Sequence, residues 1–119
     1  MCGNMIDNSE VVKAETIIEL KEILAEDFGV LVTTYLEDAQ LRIKKLQLAI
    51  AAADVAVIKA EAHSLKGSSL NLGAMSLPEL CSQLENCGIN ESLEGTPALF
   101  SKIENEFLRV ETALSQYAG

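Results

Sequence analysis

Between Phe28 and Ile50 the apolar residues Phe28, Leu31, Val32, Tyr35, Leu36, Ala39, Ile43, Leu46 and Ile50 recur at intervals of three and four. Such spacing collects them on one side of an α-helix and scatters them in any strand. The pattern predicts a helix of about six or seven turns at 3.6 residues per turn, ending in the run Ala51–Ala53. A helix with one long apolar side must bury it against other elements, and the rest of the chain offers more helices. Ala14, Ile17, Ile18 and Leu24 mark a short first helix over about Val11–Leu24, which Glu26, Asp27 and Gly29 interrupt. Asp54 is placed as an N-cap for a third helix through Val55, Ile58, Ala62, Leu65 and Leu72, with Gly73 as its left-handed end. Ser76 and Pro78 open a fourth, carrying Leu77, Leu80, Cys81, Leu84 and Cys87, which Gly88 closes. Ile89–Gly95 reads as a loop. Thr96 and Pro97 form a cap-plus-proline start for the last helix, through Leu99, Ile103, Phe107, Val110 and Leu114 to near Tyr117.

No segment alternates apolar and polar residues, and aromatics make up 4% of the chain against 49% apolar residues in all. The core is therefore expected to consist mainly of Leu, Ile, Val and Ala, which suits packed helices. The predicted architecture is all-α: an antiparallel four-helix bundle with a short additional N-terminal helix. The 119 residues fit one domain, spanning 11–119 behind a flexible lead at 1–10.

Nine basic against eighteen acidic residues leave a formal net charge of −9. That opposes binding to nucleic-acid phosphates or anionic lipid and favours a protein partner. Cys2, Cys81 and Cys87 form no C-x-x-C pair, and a single histidine is available to join them, so no metal site is expected and a reducing, cytoplasmic setting is. Charges break the apolar runs every few residues, and the first ten residues lack the pattern of a signal peptide, so the chain is expected to be soluble and not exported.

That single histidine, His63, lies inside the third helix. At about 100° per residue, Ile58, Ala62, Leu65, Ser69 and Leu72 fall on one side, and His63 falls opposite, toward solvent. Lys59, Lys66, Gly67 and Leu70 share its outward side. A glycine inside a helix costs about 1 kcal/mol relative to alanine, so something should compensate. Gly67 removes a side chain where another protein would approach the ring, and Lys66 at i+3 can pair with an anion carried on it. A neutral imidazole is a competent nucleophile near neutral pH. By position alone, a lone helical histidine is more often a plain surface residue, and Gly67-Ser68-Ser69 could equally serve close packing of a neighbouring helix.

The segment His63-Ser64-Leu65-Lys66-Gly67-Ser68-Ser69, with Asn71-Leu72-Gly73-Ala74 after it, closely resembles the signature of histidine phosphotransfer (HPt) domains of multistep phosphorelays. The resemblance extends to Phe28 and Tyr35, to Asp54, and to Leu80-Cys81 and Leu84-Glu85. It implies a phosphoryl carrier without a nucleotide site or other cofactor, exchanging its group with aspartates of receiver domains in response regulators or hybrid sensor kinases. The receiver would supply the aspartyl phosphate and the metal ion. The resemblance further implies that His63 is the acceptor, that Lys66 steadies the phosphoryl oxygens, and that Gly67 leaves room for the receiver. Glu85 stands where the family places a polar residue supporting the ring, and Leu70 is a candidate for the apolar docking patch.

Other features are expected to be plain. Cys81 and Cys87 read as core fillers, and Glu22, Glu26, Asp27, Glu104 and Glu106 as solvated helix faces. The chain has no G-x-x-x-x-G-K-S/T loop, which argues against an ATP site and hence against an autonomous kinase. A monomeric carrier is expected; the rival reading is a helical adaptor that binds receivers without transferring anything.

Overall fold

A computed structural model describes residues 10–118. The expected flexible lead at 1–10 therefore lies, apart from Glu10, outside the described residues. Five helices follow one another: α1 (Ala14–Leu24), α2 (Phe28–Ala52), α3 (Val55–Asn71), α4 (Leu77–Ile89) and α5 (Thr96–Ala118), with a single 3₁₀ turn, Ala25–Asp27, between the first two. Helices α2 to α5 form the bundle: α3 packs on α2 and α4, and α5 closes the ring against both α4 and α2. The short α1 is the additional helix.

Local chemistry accounts for the reversals of direction. Ala53 ends α2 in the left-handed conformation (φ 55°, ψ 37°), and its N–H donates to the carbonyls of Ala49 and Ile50. Asp54 follows at once, and its carboxylate accepts from the Val57 amide at 3.3 Å, satisfying one of the free N–H groups that open a helix. Two residues thus turn the chain back, and α2 and α3 run antiparallel. At the far end of α3, Gly73 adopts φ +78°, and a Cβ there would stand 3.0 Å from the Cβ of Thr16. Only glycine meets both demands.

The same turn is clamped from outside. Lys13 N–H donates to the Gly73 carbonyl at 2.7 Å and Met75 N–H to the Val11 carbonyl at 3.0 Å, making a one-residue antiparallel bridge between Val12 and Ala74. Val11–Lys13 is accordingly extended, and α1 begins at Ala14 rather than at Val11 as the spacing predicted. Tertiary pairing with a distant turn overrides the helical pattern there.

The remaining differences concern helix ends. Gly88 does not close α4, which continues to Ile89; a Cβ at Gly88 would lie 3.3 Å from that of Lys59, so this glycine lets α4 approach α3. Thr96 is buried, and its hydroxyl donates back to the Leu93 carbonyl at 2.7 Å instead of capping forward. Ser76 precedes α4 as expected but makes no side-chain cap bond.

The core is chiefly aliphatic, with Ile17, Leu46, Ile58, Leu65, Leu77, Leu84, Ile103 and Leu114 fully buried. The few aromatics nonetheless concentrate there: Phe28, Tyr35, Phe100 and Phe107 are all buried, and the rings of Tyr35 and Phe107 meet at 6.5 Å with a 53° tilt, the inclined geometry aromatic pairs prefer. Glu106, expected on a solvated face, is buried. Three residues after Ile103 and next to Phe107, it shares their side of α5, where Arg109 reaches one carboxylate oxygen at 2.9 Å.

Candidate functional site

Ile58, Ala62, Leu65, Ser69 and Leu72 are all buried, at 2% exposure or less, so the inward side of α3 is the one the spacing predicts. His63 consequently points out, with 67% of its side chain accessible. Its partner comes from α4. Nδ1 of His63 lies 3.0 Å from Oε2 of Glu85, and the ammonium of Lys66 donates to Oε1 of the same carboxylate at 3.0 Å. Glu85 stands next to the buried Leu84 on the α3-facing part of α4, and its side chain is only 17% exposed. One carboxylate thus ties the two motif residues to the neighbouring helix.

The electrostatics follow from this arrangement. The hydrogen bond from Lys66 holds the Glu85 carboxyl below the ordinary carboxylate range, and the bond to His63 adds to the effect against the opposing cost of burial. An ionised carboxylate can only accept. It therefore selects the His63 tautomer that carries hydrogen on Nδ1 and leaves the Nε2 lone pair free. Nε2 has no hydrogen-bond partner among the described residues. Chemically this is an oriented, accessible nitrogen nucleophile with a cation one helical turn away.

Gly67 and Leu70 continue the exposed side of α3. A Cβ at Gly67 would meet nothing within 4 Å, so no neighbouring helix needs its lack of a side chain; the packing alternative applies to Gly88 instead. Leu70 is 55% exposed. The two serines of the motif divide: Ser68 donates to the Leu65 carbonyl at 3.2 Å, whereas Ser69 is fully buried and shares a 2.7 Å hydrogen bond with the Tyr35 hydroxyl of α2. Sequence reasoning placed Ser69 inward and Tyr35 on the buried side of α2 but did not pair them. It also missed Arg42, whose guanidinium donates to Asp38 at 2.8 Å and to Glu61 of α3 at 2.9 Å. The i,i+4 spacing of Asp38 and Arg42 was the available signal.

Cys81 lies in the core beneath this site, and burial pushes its thiol up to about 12, which leaves it inert as a nucleophile. Cys81 and Cys87 are free thiols. No group of metal-ligating side chains occurs among the described residues, and no described helix is long and apolar enough to cross a membrane.

Residues 30–116 match the family model described as the Hpt domain. Over 72 residues, 60% of this chain, the sequence is 35% identical to multistep phosphorelay regulator 1 of Schizosaccharomyces pombe; the chain spans 24% of that protein's length. Among solved structures, histidine-containing phosphotransfer protein B from Pseudomonas aeruginosa PAO1 superimposes with a TM-score of 0.89 at 30% identity, over 92% of this chain and 96% of that one. A histidine-containing phosphotransfer protein from maize has the same fold, with a TM-score of 0.79 at 23% identity over 89% of this chain and 87% of that one.

Proposed function

The chain belongs to the Hpt domain family of phosphorelay phosphoryl carriers, and from that premise we propose that His63 takes a phosphoryl group from the aspartyl phosphate of one receiver domain and yields it to the aspartate of another. The observation that carries this reading is the pairing of an exposed His63 ring with Glu85 through Nδ1, with Nε2 left open to an incoming partner. Nε2 attacks phosphorus, the bond from phosphorus to the carboxyl oxygen breaks, and the receiver's carboxylate leaves with the electron pair. The rigid α3 presents the nitrogen, Gly67 leaves the approach clear, and Leu70 adds an apolar contact beside it. Lys66 turns its ammonium from Glu85 to the phosphoryl oxygens as negative charge arrives.

Lacking a nucleotide loop in its sequence, the chain draws its phosphoryl group from partners rather than from ATP. The proposed setting is the cytosol, in keeping with the free thiols Cys81 and Cys87. The adaptor reading finds no observation in its favour while an unobstructed nucleophile stands at the surface.

Incubation with a panel of phosphorylated receiver domains tests the proposal. The parent chain should acquire an acid-labile label from a cognate receiver, and His63→Gln should acquire none while keeping its helical circular dichroism. Undiminished labelling of His63→Gln would falsify the assignment.

A further inference from the structure

Along α3, His63 stands between two lysines. Lys66 follows it by three residues and Lys59 precedes it by four, so both are surface neighbours of the ring. Seven residues apart, they share one stripe of the helix, and that stripe is the one facing α4. Glu85 of α4 accepts from Lys66 at 3.0 Å. One turn further along α4, a Cβ at Gly88 would stand 3.3 Å from the Cβ of Lys59 and 3.5 Å from its Cα. The His63 ring leans toward the same helix, with Nδ1 3.0 Å from Glu85. The two lysines therefore flank the ring on its α4 side, one turn before it and one turn after.

Their commitments differ. Lys66 is bound to one oxygen of Glu85, and the other oxygen of that carboxylate meets the ring. None of the ion pairs among the described residues includes Lys59. Glu61, two residues further on, is held by Arg42 of α2. Lys59 is exposed, and the base of its stem rests on Gly88. In a chain with 18 acidic and 9 basic residues, a lysine that no carboxylate claims beside the acceptor ring is open to an arriving anion. The rise from Lys59 to His63 is about 6 Å, a distance its flexible four-carbon stem covers. Helical side chains also lean toward the N-terminus, which carries the imidazole over the turn that bears Lys59. We infer that Lys59 is a second phosphoryl-binding residue, its ammonium contacting the oxygens of the group on His63 from the N-terminal side while Lys66 contacts them from the other. This rests on His63 being the acceptor. Lys66 must leave Glu85 to make its contact, whereas Lys59 gives up only water. Because Lys59 meets the transferred group and no other charge, its removal should show in the labelled chain and leave unfolding unchanged.

The full chain, grown with ¹³C-labelled lysine, can be phosphorylated with phosphoramidate, a small-molecule donor that makes the test independent of partner identity; its single histidine simplifies the readout. The ε-methylene signal of Lys59, assigned by its absence from Lys59→Arg, is compared before and after phosphorylation. Rates of labelling and of label loss are measured for the parent, Lys59→Gln, Lys59→Arg and Lys59→Glu. The Lys59 signal should shift on phosphorylation. Lys59→Gln, which keeps most of the stem on Gly88 without the charge, should label about two- to fivefold more slowly and lose its label faster by a similar factor, the range expected of an exposed charge pair. Lys59→Arg should recover most of the difference, and Lys59→Glu should fall below Lys59→Gln. Urea midpoints should stay together across the series. A merely structural role would separate those midpoints and leave the Lys59 signal where it was. An unshifted signal in the labelled protein, or Lys59→Gln rates equal to the parent's, sinks this inference alone. If the parent accepts no label from phosphoramidate or from any receiver, the acceptor assignment fails and this inference falls with it.

Discussion

Once His63 is phosphorylated, the single ammonium of Lys66 has two anions within reach. In the unphosphorylated protein Glu85 holds it at 3.0 Å; the phosphoryl oxygens carry more charge and should draw it away. A contact made mainly with the transferred group shows in the rate of transfer more than in folding. Charge-assisted contacts are worth roughly 1.5–3 kcal/mol, and about 1.4 kcal/mol is tenfold in rate. Lys66→Ala should therefore slow phosphorylation or shorten the life of phospho-His63 by about ten- to a hundredfold. Its unfolding midpoint should stay near the parent's, because partly exposed ion pairs contribute about 1 kcal/mol or less. Lys66→Arg should keep part of the activity with altered geometry. Transfer from a labelled receiver and decay of the phosphorylated chain give both quantities; equal values across the series would make Lys66 a plain surface residue.

Gly67 of α3 and Gly88 of α4 have surroundings that give them opposite expectations. At Gly67 a Cβ meets open space, so Gly67→Ala should raise stability by up to about 1 kcal/mol through helix propensity, whereas the larger Gly67→Gln should slow transfer by obstructing the receiver. At Gly88 the backbone of α4 lies against Lys59 of α3. Gly88→Leu should cost about 1–3 kcal/mol by prising those helices apart, and because His63 and Glu85 sit on the same two helices it should slow transfer as well. Urea midpoints and labelling rates for the three variants decide the matter; a Gly88→Leu protein as stable as the parent would refute the contact. In the sequence Gly67 reads as a glycine inside α3 and Gly88 as the end of α4, and nothing local marks Gly88 as a close approach. What it did carry was local chemistry: the apolar side of α2, the Asp54 cap, the left-handed Gly73. The support of His63 by Glu85 was accessible only through family resemblance, and the bond from Lys66 to the same carboxylate was not anticipated, since α3 and α4 must pack before those residues meet. The burial of Glu106 and the extended Val11–Lys13 likewise depend on partners elsewhere in the fold.

For the molecule as a whole, the buried bond between Tyr35 and Ser69 joins α2 to α3 behind the site and couples the bundle to pH. Burial pushes the Tyr35 hydroxyl from 10.0 up to about 12, partly offset by the bond to Ser69. The neutral phenol is the form the core accepts. Its contribution is fully present below pH 10, where the unfolded chain also keeps the proton, and is lost as pH rises through about 12. Tyr35→Phe should cost about 1–3 kcal/mol at neutral pH, because Ser69 is left unpaired. Above pH 10 the gap to the parent should narrow, since phenylalanine has nothing to ionise. Denaturant midpoints taken from pH 7 to 11 measure this, and parallel curves would count against a neutral, buried phenol.

The clamp formed by Val11–Lys13 on the turn between α3 and α4 bears on where this domain can be cut. The span matched by the family model begins at residue 30, already inside α2. A fragment trimmed to that boundary would discard the buried Val12, Ile17 and Phe28 and strip the Gly73 carbonyl and Met75 amide of their partners. That turn joins α3, which carries His63, to α4, which carries Glu85, so the loss should reach the site. For fusion, grafting or biosensor design, the usable module starts ahead of Val11, and a linker attached there leaves the exposed side of α3 free for its receiver.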